Sequence, residues 1–156
     1  MPRRRWRLES ERMLKGIDPV LGPELLAHLR AMGHGDEIVI ADANFPAASN
    51  ARRLVRADGV DAVRMAGAIS ALMPLDDFTP AAAFRMAVVD APDETPPITA
   101  EFLRVLAANG YAGPIEAIER GAFYARAREA FAIVASGETR LYGNLILKKG
   151  VVRPGA

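Results

Sequence analysis

Two short runs near the end of the chain, 131–135 (Phe-Ala-Ile-Val-Ala) and 145–147 (Leu-Ile-Leu), are apolar without interruption. A strand with one wetted face alternates polar and apolar residues, so an unbroken run belongs to a strand covered on both sides. Such strands need helices above and below the sheet, and the rest of the chain supplies segments with helical spacing. Leu25, Leu26, Leu29 and Met32 recur at that spacing within 22–32, with Pro23 near the first turn and Gly33 at the stop. Val63, Ala66, Ile69, Leu72 and Met73 form the apolar face of a second helix, ended by Pro74. Phe102, Leu103 and Leu106 mark a third, closed by Asn109-Gly110, and a fourth is expected over 122–130.

Between the helices lie strand-like segments at 37–41, at 53–56 before the turn Asp58-Gly59, at 84–89 before a Pro-rich loop (91–97), and at 115–118. Strands at 131–135 and 145–151 close the chain, joined through Ser136-Gly137 and Tyr142-Gly143-Asn144. The alternation predicts an α/β fold: a single-domain, three-layer sandwich whose central sheet is mixed or mostly parallel, flanked by helices. No internal repeat or low-complexity segment interrupts it.

The chain has 156 residues, enough for one well-buried core. A formal charge of +1 argues against general nucleic-acid coating, and the lack of cysteine excludes disulfides and thiol catalysis. No apolar run reaches the roughly 18 residues of a membrane span. The opening Arg3-Arg4-Arg5-Trp6-Arg7 lacks the apolar stretch of a signal peptide, so a cytoplasmic protein is expected. Residues 1–12 read as a disordered basic extension, or an over-extended gene start with the initiator at Met13, and 13–156 as the domain. Contact of that extension with nucleic acid or a membrane surface is the weaker reading, and neither is expected as a partner.

Only two histidines occur, and His34 lies between Gly33 and Gly35 at the junction of a helix and a strand. Junction loops carry aimed, reachable groups, and imidazole exchanges protons near neutral pH. A plain alternative is a histidine that caps the preceding helix. His28, six residues earlier, does not share its face. His34, Glu37 and Asp42 offer too few ligands for zinc, so no metal is expected. Gly33-x-Gly35 follows a helix and precedes a strand, the reverse of a dinucleotide turn, and neither a Walker sequence nor a Gly-x-Ser-x-Gly elbow occurs. Arg52-Arg53 and Arg126-x-Arg128 read as solvated faces or interface pairs. A polar set without a strong nucleophile remains: His34, Asp42, Arg120, Tyr142 and Asn144. It suits proton shuffling on a polar, neutral ligand better than covalent catalysis.

Several blocks then carry a resemblance. Met32-Gly33-His34-Gly35-Asp36-Glu37, Asp42-Ala43-Asn44-Phe45-Pro46, Arg56-Ala57-Asp58-Gly59, Phe123-Tyr124-x-Arg126-Ala127 and Ser136-Gly137-Glu138-x-x-x-Tyr142-Gly143-Asn144-Leu145-Ile146-Leu147-Lys148-Lys149-Gly150 run in order from about residue 13 to 151. Together they resemble the ribose pyranase/fucose mutarotase family, and Asn44-Phe45-Pro46 with Tyr142-Gly143-Asn144 resembles its fucose branch. The resemblance implies an isomerase that interconverts α and β anomers of a free monosaccharide, L-fucose or a related aldose, without cofactor or required metal. It implies His34 as the catalytic histidine, working with Asp42, and Arg120, Tyr142 and Asn144 as sugar-binding groups. It also implies a homo-oligomer, a ring of ten or a smaller assembly, with sugar sites completed between subunits. A non-catalytic sugar-binding module, or a pyranase acting on ribose or another aldose, is the alternative.

Overall fold

The structure is a computed structural model that describes residues 13–155. The expected basic extension over 1–12 lies outside the described residues. The elements, in order, are α1 (Pro23–Ala31), β1 (Glu37–Ala41), α2 (Ala47–Asn50), β2 (Leu54–Ala57), α3 (Ala62–Leu72), β3 (Ala83–Met86), α4 (Ile98–Ala108), β4 (Ile115–Ile118), α5 (Arg120–Glu129), β5 (Ala132–Ser136) and β6 (Leu145–Lys148). Pro23 opens α1 at a position where a missing N–H costs nothing. The Asp61 carboxylate caps α3 by accepting from the Arg64 N–H at 2.8 Å.

Among the described residues the strands form one six-stranded sheet in the order β2-β5-β1-β6-β3-β4. The pairs β1–β5, β2–β5 and β3–β4 are parallel, and β6 runs antiparallel to both β1 and β3. All strands except β6 therefore point the same way. The expected mixed, mostly parallel sheet is what forms.

The continuously apolar runs divide their side chains between the two faces. Ile38, Ile40, Ala132, Val134, Leu145 and Leu147 pack beneath α1, α3 and α4. Val39, Ala41, Ile133, Ala135 and Ile146 pack beneath α2 and α5, against Ala47, Phe123 and Ala127. Alternate residues of a strand point to opposite faces, so a strand buried on both sides can be apolar throughout.

The topology creates two working edges. Asp42 follows β1, the 87–90 loop follows β3, Arg120 follows β4, and the loop before the reversed strand β6 returns to that same edge. At the opposite edge lie the residues before β1 and β3, including His34 and Asp76, and the end of β6 at Lys148. Although β5 and β6 are consecutive, β1 lies between them. Their connection, residues 137–144, therefore crosses the end of β1 and brings Asn144 onto Asp42.

Candidate active site

At the carboxyl edge of the sheet, Asp42, Arg120, Tyr142 and Asn144 line one cavity of about 270 Å³. Crevices beyond the carboxyl ends of parallel strands are the usual binding place in open α/β sheets. The volume lies just under the ~300–1,000 Å³ typical of sites for drug-sized ligands, as suits a monosaccharide.

Asp42 is the most constrained group here. Its Oδ1 accepts the backbone N–H groups of Asn44 (3.0 Å) and Phe45 (2.9 Å), and its Oδ2 accepts from Asn144 Nδ2 at 3.1 Å. Its own N–H donates to Asn144 Oδ1 at 2.7 Å. Burial pushes the Asp42 carboxyl above its ordinary range, and the hydrogen bonds, including one from Gly143, only partly offset that. The Asn144 amide is thus pinned at both ends, with one N–H left over for a ligand.

Tyr142 has φ 59°, a left-handed conformation that is rare for an aromatic residue. Its hydroxyl oxygen accepts the Val89 N–H at 3.0 Å. The phenolic proton is left to donate into the cavity. Gly143 allows this turn to close, because a Cβ there would lie 2.7 Å from Glu138 Cγ and 3.4 Å from Asp42 Cβ. Arg120 opens α5, and its guanidinium lies 5.5 Å from the Tyr124 ring centroid. Phe45, Met86, Val89 and Leu141 complete the wall with apolar surface.

His34 stands elsewhere. Gly35 adopts φ 88°, which glycine takes without strain, and its N–H donates to the Lys149 carbonyl at 2.9 Å. The Gly33 N–H donates to Asp36 Oδ2 at 2.7 Å. Lys149 Nζ reaches the Leu29 and Met32 carbonyls, so a lysine, not the histidine, caps α1. The helix-cap alternative for His34 therefore falls away. The imidazole Nε2 instead meets Asp76 Oδ1 at 2.9 Å.

Asp76 was not legible as a site residue, since it lies 42 positions away in a loop after a proline-terminated helix. Its side chain is 1% exposed, while that of His34 is 45% exposed. Oδ1 also accepts the Phe78 N–H at 3.3 Å, and Oδ2 accepts the Thr79 hydroxyl at 3.0 Å with Lys148 Nζ at 3.6 Å. Burial alone would raise the carboxyl. The bonds from His34, the Phe78 N–H and the Thr79 hydroxyl, with the Lys148 charge, outweigh burial and hold it down to about 2. The Phe78 ring lies 5.0 Å from the imidazole centroid.

Within one chain Asp42 does not orient His34, because β1 stands between them and its five residues span roughly 15 Å at a rise of about 3.3 Å each. The carboxylate beside His34 is Asp76. Among the described residues no three His, Asp or Glu side chains converge as a metal-ligand set. No helix among them is long and apolar enough to cross a membrane.

The sequence profile of the RbsD / FucU transport protein family matches residues 15–152. The chain is 48% identical over 151 residues to the fucose mutarotase of Danio rerio, covering 91% of this chain and 96% of that one. It is 44% identical over 140 residues to the L-fucose mutarotase of Haemophilus influenzae strain 86-028NP, covering 89% and 97%. Its fold superimposes on the crystal structure of the fucose mutarotase of Streptococcus pneumoniae in complex with L-fucose, with a TM-score of 0.84, 45% identity, and 90% and 100% of the two chains covered. On this fold, these motifs and these similarities, the chain belongs to the RbsD / FucU transport protein family.

Proposed function

We propose that this protein is a cofactor-independent mutarotase that interconverts the α and β anomers of L-fucose. The observation that carries the reading is the single cavity in which Asp42, Arg120, Tyr142 and Asn144 converge, in a chain closely similar to fucose mutarotases over most of its length. Mutarotation removes the anomeric hydroxyl proton, breaks the bond from C1 to the ring oxygen and protonates that oxygen. Rotation about C1–C2 and reclosure give the other anomer. Acid–base assistance is typically worth about 10²–10⁴ in rate, which is sufficient for a reaction already feasible in water.

In this proposal His34 relays the proton and Asp42 accepts a sugar hydroxyl. Tyr142 and Asn144 donate toward the anomeric end with the proton and the amide N–H their internal bonds leave over. Arg120 holds a ring hydroxyl. Since His34 and the cavity occupy opposite edges of the sheet, the complete site takes the cavity from one copy and the His34 edge from another. Exposed apolar side chains flank both halves: Leu141 (72% exposed) and Val89 (48%) on the cavity wall, and Phe78 (64%) beside His34. Such surface on a soluble chain favours an interface. A homo-oligomer, the ring of ten subunits or smaller assembly that the family resemblance implies, follows as part of the proposal, as does the cytoplasmic location expected from the sequence.

Saturation-transfer NMR on a panel of free aldoses tests the assignment. L-fucose should exchange its anomers faster with the protein than without it, and His34→Gln should abolish the acceleration. Binding without faster exchange would mark a sugar-binding module, and acceleration confined to ribose would mark a pyranase; either result overturns the proposal.

A further inference from the structure

Residues 137–144 carry Tyr142 and Asn144 across the end of β1, and the crest of that loop faces solvent at Arg140 and Leu141. Asn144 is fixed by its two bonds to Asp42. Tyr142 is not tied in that way. Its ring rests against the apolar side chains under α2 and α5, contacts that carry no direction. Its hydroxyl oxygen accepts a single backbone N–H, from Val89, which is itself exposed in the loop after β3. Its φ of 59° is a conformation that an aromatic residue keeps only where the surroundings impose it.

The restraint comes from beneath the loop. The Glu138 N–H donates to the Ser136 hydroxyl at 3.3 Å, and its carbonyl accepts the Ala43 N–H at 2.7 Å. Its side chain then turns under the loop, 3% exposed, so close to Gly143 that a Cβ there would meet Glu138 Cγ at 2.7 Å. Arg140 closes on that carboxylate: Nε donates to Oε1 at 2.6 Å, and Nη2 lies 3.5 Å from Oε2. Its remaining branch, Nη1, donates to Glu101 in the first turn of α4. One guanidinium thus joins a buried carboxylate under the loop to a helix in the layer opposite α5. An exposed ion pair taken singly contributes little. A planar fork whose every nitrogen faces a carboxylate oxygen fixes direction as well as distance.

Resting on the mutarotase assignment above, we infer that Arg140 is the positioning residue for Tyr142: by clamping Glu138 beneath the loop to Glu101 on α4, it sets the place from which the phenolic proton is offered to the sugar. The lever is short. Only Leu141 separates the two residues, and a Cβ on Gly143 would lie 3.1 Å from the Arg140 carbonyl oxygen. Arg140 does not line the cavity, so it acts through the loop alone. Removing its side chain leaves the Glu138 carboxylate buried without its cation, and the loop answers by opening toward water. Tyr142 then relaxes from its left-handed conformation, and its hydroxyl leaves the Val89 N–H. A displacement of about 1 Å at a group aimed at the reacting end costs on the order of 10²-fold in rate.

The test has one arm that needs no turnover. Hydrogen–deuterium exchange of the full-length assembled protein, read by mass spectrometry, follows the Val89 N–H through the peptide that carries it, and Tyr142→Phe gives the rate of Val89 without its acceptor. Arg140→Ala should speed exchange in that peptide about tenfold, while peptides from β1 and β5 exchange as in the wild type. Unchanged Val89 protection overturns the inference. So does faster exchange in every peptide alike, which marks a support of the whole fold, and so does loss of assembly in sedimentation velocity, which places Arg140 in an interface instead. In the second arm, Arg140→Ala should lower kcat/KM for L-fucose anomer exchange about tenfold or more. Added to Tyr142→Phe it should cost no more than about twofold, because the hydroxyl it places is already gone. An equal loss in both backgrounds overturns the inference. If Arg140→Ala does not fold, Arg140→Lys takes its place: it keeps a charge beside Glu138 but cannot span both carboxylates, so Val89 exchange should rise about threefold, and wild-type protection overturns the inference. Failure of the wild type to accelerate any aldose would instead count against the mutarotase assignment and leave the Val89 arm to decide the placement of Tyr142, which keeps the two failures apart.

Discussion

His34 and Asp42 stand at opposite ends of the same strand: His34 three residues before β1 begins, and Asp42 immediately after it ends. The strand is fully buried along its centre and paired on both sides, so no side-chain rearrangement can bring the two together. The proposed proton relay at one edge and the proposed sugar cavity at the other can form one site only if two copies meet edge to edge. The consequences can each be measured.

The carboxylate behind His34 gives the fold an acid limit. Asp76 has its folded-state pKa depressed, so its contribution is fully present above the ordinary carboxylate range and is lost as pH falls through the folded value. A drop from 3.8 to about 2 corresponds to on the order of 2 kcal/mol, lost between about pH 4 and about pH 2. Asp42 acts in the opposite sense, since its raised pKa makes it cost stability as pH rises through the carboxylate range. Urea unfolding at fixed protein concentration should show the acid loss in the wild type and a flatter limb in Asp76→Asn. Parallel curves below about pH 4 would contradict this account of Asp76.

Gly35 sets the turn that carries His34. Nothing lies within 4 Å of a Cβ placed there, so Gly35→Ala adds only backbone strain from its φ of 88°. That strain costs roughly 1–2 kcal/mol, a few degrees in Tm. The turn that aims His34 relaxes to avoid it, so fucose exchange should fall much further than stability. A variant that loses stability but keeps its exchange rate would show that the turn does not aim the imidazole.

Leu141 is 72% exposed in the single chain and forms part of the cavity wall. Leu141→Asp leaves the monomer fold intact but places an unpaired charge in the proposed interface, at a cost of roughly 3 kcal/mol of association. Sedimentation velocity should show smaller species, and anomer exchange should fall with them. An unchanged assembly would remove Leu141 from the interface.

Much of this architecture could be read from the residues. The apolar runs announced strands buried on both faces, and β1 and β4 begin and end where their patterns do. Other boundaries moved for physical reasons. The strand expected over 84–89 stops at Met86 because the chain turns off the sheet, where the Val89 N–H meets the Tyr142 hydroxyl. The strand expected over 145–151 stops at Lys148, since Lys149 is drawn onto the end of α1 and Gly150 is pressed against Leu75. The four residues of α2 are too few to show a helical period.

The site divided along the same lines. Asp42, Tyr142 and Asn144 sit in motifs that flank strand ends, and the crossing of β1 by the 137–144 loop brings them together. Asp76 has no such signature. Its partnership with His34 depends on the pairing of β6 between β1 and β3, which places the loop before β3 beside the loop before β1. Local pattern cannot express a contact that only the strand order creates.

The central claim is that one working site draws on two chains, and subunit mixing tests it most directly. His34→Gln and Asp42→Asn should each be inactive alone. When the two are co-assembled in equal amounts, sites that take His34 from one variant and Asp42 from the other become whole, so exchange of L-fucose anomers should recover to about a quarter of the wild-type rate. Mixed assemblies with no more activity than the two variants measured separately would contradict the account.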